Sequence, residues 1–358
     1  MKAPIFVIGY MHSGTTMLKD IIERHPSIYS IRGESRFFHS LSMLKRRYPD
    51  LNDAQIRRQF VTYLAKLANS NYRSVEYGEN QSLEAFNITA HEVDELVKQT
   101  ATLTSHAMFF KSAFDFYTAK HGKERWLEKT PTHLFHVEKI LKTNPEALFI
   151  ELVRDPRDVL GSKNSRVESA DKMSRNEISQ KIKNWRVGYD PIWDSLAWKS
   201  AIRSGAETAV KHSGKILRVR YEDLVQSPKA EAQKIFTFLG LEFSEEMLQV
   251  SWHNTADETK WQQTGITADS IGKWQKRLNL SDVAVCQFIT RAEMNQLSYQ
   301  KINIPLKSTL MLPSIFLKSG YEFFERIYRR YKLGGTAQVR TVIENYIIRF
   351  RGISKSKP

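Results

Sequence analysis

A single cysteine, Cys286, stands in 358 residues, so no internal disulfide framework holds this chain together and a reducing compartment suits it. No uninterrupted apolar stretch approaches the roughly 18–20 residues that cross a bilayer as a helix. The apolar run in MKAPIFVIGY meets turn residues too soon to serve as a signal-peptide core. The expected location is therefore the cytoplasm. No internal repeat or low-complexity block is present. The ten histidines are scattered, they offer no zinc-ligand spacing with Cys286, and no Ser-His-Asp pattern stands out. No metal is expected.

Acidic residues are in deficit, 39 against 54 Lys and Arg, which gives a formal net charge of +15. Such an excess favours anionic partners. It is unevenly placed, because residues 318–358 carry ten Lys or Arg and only three Asp or Glu. The remaining body is only mildly basic, which argues against nucleic acid as the partner and gives the tail a task of its own.

What the chain has in quantity is apolar residues, 41%, enough for the core of one large body. Residues 4–8, PIFVI, read as a buried strand ended by Gly9. Residues 15–24 read as a helix with Met17, Leu18, Ile21 and Ile22 on one face, stopped by His25-Pro26. Residues 40–120 are mainly helical in pattern, as at Ile56, Phe60, Leu64 and Leu67. A helix at about 134–142 leads into a second apolar strand, 147–153, and a third follows at 215–221. Pro228 opens a helix that runs to Leu239 with Gly240 as its stop. Near-continuous apolar strands alternating with helices imply an α/β fold, a parallel sheet covered on both faces.

Residues 1–304 are expected to form one domain and 305–358 a basic, helical extension set off by Pro305 and Pro313. In the extension Phe316, Tyr321, Phe323, Phe324, Ile327, Tyr328 and Tyr331 alternate with Arg326, Arg329, Arg330 and Lys332. Two readings stand: a helix packed on the body with solvated basic residues, or one that makes peripheral contact with an anionic membrane.

The segment Gly9-Tyr10-Met11-His12-Ser13-Gly14-Thr15-Thr16 joins the first strand to the first helix. Amide groups at a helix N-terminus face whatever sits there, and the helix dipole favours an anion. Ser13, Thr15 and Thr16 add hydroxyl donors. The spacing is that of a P-loop, but Thr15 stands where the lysine of an NTP-binding loop would be. That substitution argues against a kinase and for a donor without a γ-phosphate. A capped β–α turn with no ligand is the plain alternative.

This loop resembles the 5′-phosphosulfate-binding loop of sulfotransferases that use 3′-phosphoadenosine 5′-phosphosulfate (PAPS), and the chain is similar to that family over roughly residues 4–300. The resemblance implies the sulfotransferase fold, a P-loop-like central parallel sheet flanked by helices, with PAPS as co-substrate. In the family the position of His12 is usually Lys or Arg. His12 therefore has a catalytic, a weaker neutral or a purely positioning role. The segment from Leu152 to Ser162, LVRDPRDVLGS, resembles the family's 3′-phosphate motif. There Arg154 and Ser162 would hold the phosphate, joined by Arg166 one helical turn further on. A surface ion-pair cluster is the alternative reading of those charges.

Four further matches concern the site. Gly33-Glu34-Ser35-Arg36-Phe37-Phe38 is similar to segments of tyrosylprotein and heparan sulfotransferases whose glutamate is the base, which makes Glu34 the candidate base. Glu128-Lys129-Thr130-Pro131 resembles a segment whose lysine contacts the transferring sulfonate, so Lys129 joins Glu34 and His12 as a candidate catalytic residue. Tyr221 matches a tyrosine near the nucleotide, and Lys273 lies in a segment similar to one that closes over the donor. The expected acceptor is a glycan or glycolipid hydroxyl, a leaning carried by Phe37-Phe38, with peptide tyrosine as the alternative carried by the Glu-x-Arg pattern. From another class, a non-catalytic nucleotide- or membrane-binding protein on the same fold remains open because of His12.

Overall fold

The computed structural model describes residues 1–31, 33–77, 81–172, 189–251 and 264–354; the side chains of Arg326, Arg329 and Arg330 lie outside the described ones. Its centre is a five-stranded parallel sheet of β1 (Ile5–Gly9), β2 (Ile28–Ser30), β3 (Arg125–Lys129), β4 (Leu148–Val153) and β5 (Ile216–Arg220). The strand order is β2-β3-β1-β4-β5. The three strands expected from apolar runs are β1, β4 and β5. Two more, β2 and β3, were not expected.

Side chains of β1 alternate between two cores, as the two-residue period of a strand requires. Ile5 and Val7 join Leu18, Ile22, Ile150 and Leu224 on one face; Phe6 and Ile8 join Phe38, Trp126 and Phe149 on the other. The Phe6 ring lies 5.3 Å from both Trp126 and Phe149, so Phe6→Ala would cost about 3–5 kcal/mol. Helix α1 (Thr15–Glu23) buries Leu18, Ile21 and Ile22 on the first face. Helix α2 (Phe37–Arg47) covers the second, with Phe37 stacked on Phe110 at 4.3 Å.

Local punctuation falls where the residues dictate. The helix Pro228–Leu239 has proline in its first turn and ends at Gly240 with φ +64. The helix expected at 134–142 is instead a tight 3-10 turn, Pro131–His136, followed by the helix Val137–Thr143. Within that turn, His133 Nε2 takes the Phe38 amide of α2 at 3.3 Å, a tertiary bond no local pattern announces.

The C-terminal run Leu312–Ser354 doubles back at Gly334-Gly335, where Gly335 has φ +60. Phe323 and Tyr346 would be about 35 Å apart along a straight helix, yet their ring centroids are 5.6 Å apart. The hairpin packs on the N-terminal end of the helix Pro191–Lys211. Trp193 stacks on Phe323 at 4.8 Å, and the buried Ser319 hydroxyl donates to Asp190 Oδ2 at 2.8 Å.

Candidate active site

Every strand delivers a sequence-predicted residue at or just beyond its carboxyl end. Glu34 follows β2, Lys129 closes β3, the loop 9–16 follows β1, Arg154 follows β4 and Tyr221 follows β5. Register brings these ends level, with Val7 opposite Lys129 and Gly9 opposite Leu152. The carboxyl edge of an open parallel sheet is where such folds bind ligands.

The loop is shaped by close approach. A β-carbon on Gly9 would lie 2.5 Å from the Leu152 carbonyl oxygen, and one on Gly14 would lie 2.5 Å from the Tyr221 ring. Gly14 caps α1 in the left-handed region, and α1 has neither a side-chain cap nor an acidic residue in its first turn. Its N-terminal amides are thus left for an anion. Among the described residues, Ser13 Oγ is buried with no hydrogen-bond partner, and so is Arg154 Nε. Two orphaned donors on one side of the sheet edge fit a ligand rich in phosphate oxygens. Thr15 is buried and Thr16 half-buried in the first turn.

Arg154 donates to the His12 carbonyl at 3.1 Å and to the Ser270 carbonyl at 2.7 Å, and its guanidinium lies 4.3 Å above the Tyr221 ring. Tyr221 is therefore the floor between the loop and Arg154, and its hydroxyl bonds the Ser270 hydroxyl. Ser162 Oγ lies 3.5 Å from His12 Nδ1, which places the helix Pro156–Lys172 against the loop. Arg166, one turn on, is exposed and near enough for its charge to act on His12. Arg157 is committed elsewhere, paired with Asp155 at 2.6 Å. Lys273 is half-buried in a segment drawn onto the site: Asp158 accepts the Gly272 and Trp274 amides at 2.8 and 2.9 Å.

His12 adopts φ +65, unusual for a residue other than glycine. Burial, then the charges of Arg166, Lys163 and Arg154, push its pKa down to about 3, against a lesser opposing effect of Glu34. Burial and these cations hold the imidazole toward its neutral form, whereas a bound phosphosulfate would oppose the cations, so all three roles left open by the sequence stand.

Glu34 Oε1 accepts from Lys129 Nζ at 3.1 Å and Oε2 from Arg36 Nε at 3.1 Å. Burial opposes its ionisation, but the two cations outweigh it and hold the carboxyl below its ordinary range. The Phe37 and Phe38 rings are fully buried against Phe110 and Phe6, so they present nothing to an acceptor. Their link to a carbohydrate acceptor is therefore the sequence resemblance alone and not a contact with the acceptor.

A residue given no role from the sequence, Glu128, sits beneath this pair. Fully buried, its Oε1 accepts the Ser35 amide at 3.0 Å and the Ser35 and Thr130 hydroxyls at 2.6 Å. Thr130 Oγ1 in turn accepts the Arg36 amide at 3.1 Å. These bonds latch the 34–36 segment to the end of β3 and so fix Glu34 beside Lys129. Burial would raise the Glu128 carboxyl, but His133 and these donors outweigh it and keep it ionised. The only signal in the sequence was its place before Lys129.

Known proteins align with this arrangement. Carbohydrate sulfotransferase 1 of Mus musculus is 27% identical over 180 residues, which cover 49% of this chain and 43% of that protein. The chain thus spans less than half the length of that relative. A putative protein-tyrosine sulfotransferase of Caenorhabditis briggsae is 27% identical over 247 residues, 68% of each chain. The solved sulfotransferase domain of the Synechococcus PCC 7002 olefin synthase superposes with a TM-score of 0.51 at 19% identity, over 84% of this chain and 98% of that one, which shows the same fold. The model of the sulfotransferase family matches residues 4–245, well over half of the chain, and this chain belongs to that family.

Proposed function

We propose that this chain transfers a sulfuryl group from PAPS to an acceptor hydroxyl carried on a carbohydrate or glycolipid. One observation carries this reading: loop 9–16, Arg154, Tyr221, Lys129 and Glu34 converge on one edge of the sheet although they come from five strand ends. The orphaned Ser13 hydroxyl, with Thr15, Thr16 and the amides around Gly14, suits the donor's 5′-phosphosulfate. Arg154, Ser162 and Arg166 suit its 3′-phosphate, and Lys273 lies in the segment above them.

Glu34 is placed as the base. The acceptor proton would pass to its free lone pairs as the acceptor oxygen bonds to sulfur. The bond from sulfur to the phosphate oxygen then breaks, and its electron pair leaves with 3′-phosphoadenosine 5′-phosphate (PAP). Lys129 supplies the positive charge for the moving sulfonate; shifting toward it loosens the Lys129–Glu34 pair and makes Glu34 a stronger base as the reaction proceeds. His12 contributes hydrogen bonding and position.

A carbohydrate acceptor is supported by the likeness to carbohydrate sulfotransferase 1. Peptide tyrosine is a second reading, favoured by the longer match to a putative protein-tyrosine sulfotransferase and by the Glu34–Arg36 pair. Calorimetric titration with PAP and, separately, ATP tests the donor. Binding of PAP without ATP supports PAPS, and no PAP binding would sink the reading in favour of a non-catalytic protein on this fold. Oligosaccharides, glycolipids and tyrosine peptides, each offered with PAPS, then decide the acceptor.

A further inference from the structure

We propose that the outer face of the C-terminal hairpin docks onto an anionic lipid bilayer. Leu317, Tyr321, Phe324, Tyr328 and Tyr331 recur at helical spacing, so they form one stripe. Their exposures are 78%, 71%, 71%, 56% and 54%. The inward contacts of this arm use other positions: Ser319 on Asp190 and Phe323 on Trp193. The stripe therefore stays exposed, because the hairpin has used a different face to pack. It continues past the turn, where Tyr331 and Ile343 line one shallow hollow with Thr336, Val339 and Arg340. Leu306, Leu310 and Met311, which precede this helix in the chain, are exposed as well. An exposed apolar stripe of this length marks an interaction site rather than ordinary surface scatter.

Charge chooses the occupant. The stripe is embedded in the segment that carries ten Lys or Arg against three acidic residues. Among the described side chains Lys307, Lys318 and Lys332 are exposed, and Lys332 Nζ lies 5.0 Å above the Tyr328 ring. A second copy of this chain would bring like charges together, whereas anionic headgroups neutralise them. Three of the five stripe residues are tyrosine, whose apolar ring and polar hydroxyl suit the boundary between headgroups and acyl chains. Among the described residues no helix is long and apolar enough to cross a membrane, which fits contact along the surface.

The hairpin is joined to the site's elements through its inner face. The hairpin sits on Asp190 and Trp193, and Asp194 of the same helix pairs with Lys163, the neighbour of Ser162. The inference stands on the surface alone and does not depend on the transfer reaction.

The test is co-sedimentation of the full chain with vesicles of phosphatidylcholine alone and of phosphatidylcholine with phosphatidylglycerol, alongside size-exclusion chromatography. Wild type is expected to bind the anionic vesicles and to leave the neutral ones largely unbound. Leu317→Ser with Tyr321→Ser and Phe324→Ser should weaken binding at least roughly tenfold. Lys318→Gln with Lys332→Gln should weaken it by roughly tenfold or more, because each basic residue near an anionic surface contributes about fivefold. All forms should keep the wild-type melting temperature, since the replaced side chains are exposed. Equal sedimentation of wild type and apolar variant overturns the proposal. So does a wild-type dimer that the apolar variant dissociates while neither binds vesicles, which would assign the stripe to self-association. Loss of PAP binding, measured separately, would bear on the transfer reaction and not on this surface.

Discussion

Lys129 Nζ lies 3.1 Å from Glu34 Oε1, across 95 positions of sequence, because β3 ends where the chain leaving β2 turns toward α2. The pair ties the charge that would meet a sulfonate to the carboxylate that would take the proton. Replacing Glu34 by Gln keeps the shape and removes the base. Turnover should fall about 10²–10⁴-fold, while PAP affinity stays within about twofold. The sign of the pH effect follows from the depressed carboxyl. Glu34 is a base only above its pKa, so activity is lost as pH falls through that value. With Lys129 and Arg36 in place, that limb of kcat/KM should lie below the ordinary glutamate value of about 4.3. In Lys129→Met, burial acts with one cation fewer to oppose it, and the limb should move upward. A pH–rate profile unchanged by Lys129→Met would show that the two residues are not coupled in the reaction.

His12 offers a separate titration. Its pKa is pushed down from 6.5 to about 3 in the folded chain, so the unfolded chain binds the extra proton first. Stability from this group is complete above about pH 6.5 and is lost as pH falls toward about 3. His12→Asn is the matched variant, since asparagine tolerates the left-handed backbone there. Chemical denaturation at several pH values should show wild type losing stability relative to His12→Asn below about pH 6.5, with a constant difference above it. Turnover of His12→Asn at neutral pH should stay within about tenfold of wild type, because a neutral hydrogen-bonding group replaces another. A loss of 10²-fold or more would show a cationic, catalytic His12.

The sheet was legible where burial and apolarity coincide, as in Ile5–Gly9 and Leu148–Val153. β3 was not, because Arg125, Glu128 and Lys129 fill three of its five positions, yet all five are buried. Each has a distant partner: Arg125 the carbonyls of Ala3 and Leu239, Glu128 the hydroxyl of Ser35, Lys129 the carboxylate of Glu34. Such partners come from elsewhere in the chain, so a local window reads a polar loop. The residues that gather at the carboxyl edge of the sheet were legible from motif order, whereas the Glu128 latch was not. The tail's helical pattern was visible, but the reversal at Gly335 rests on a positive φ and on Trp193, which no periodicity reveals.

Gly14 is the position where backbone and ring leave no room. Its φ is +92, and a β-carbon would meet the Tyr221 ring at 2.5 Å. Gly14→Ala should cost roughly 1–3 kcal/mol through strain and overpacking, and the displaced loop should bind PAP more weakly. Tyr221→Leu in the same chain makes space but leaves the backbone strain. The double variant should therefore recover part of the stability in denaturant titrations. Full additivity of the two losses would show that the ring contact is not the constraint.

Arg154 is held by the His12 and Ser270 carbonyls and by the Tyr221 ring, with Nε left unpaired. A guanidinium so braced is preorganised for a phosphate, and a charge-assisted bond contributes about 1.5–3 kcal/mol. Arg154→Ala should thus weaken PAP binding at least about tenfold by calorimetry. Arg154→Lys should recover only part of it, because an ammonium lacks the planar fork. The control is adenosine 5′-phosphate, which has no 3′-phosphate and should bind wild type and Arg154→Ala alike. If the variant weakens both nucleotides equally, Arg154 serves the loop through its bond to the His12 carbonyl rather than the 3′-phosphate. Equal PAP affinity in wild type and variant would remove Arg154 from the donor site and leave the segment from 152 to 162 a structural ion-pair cluster.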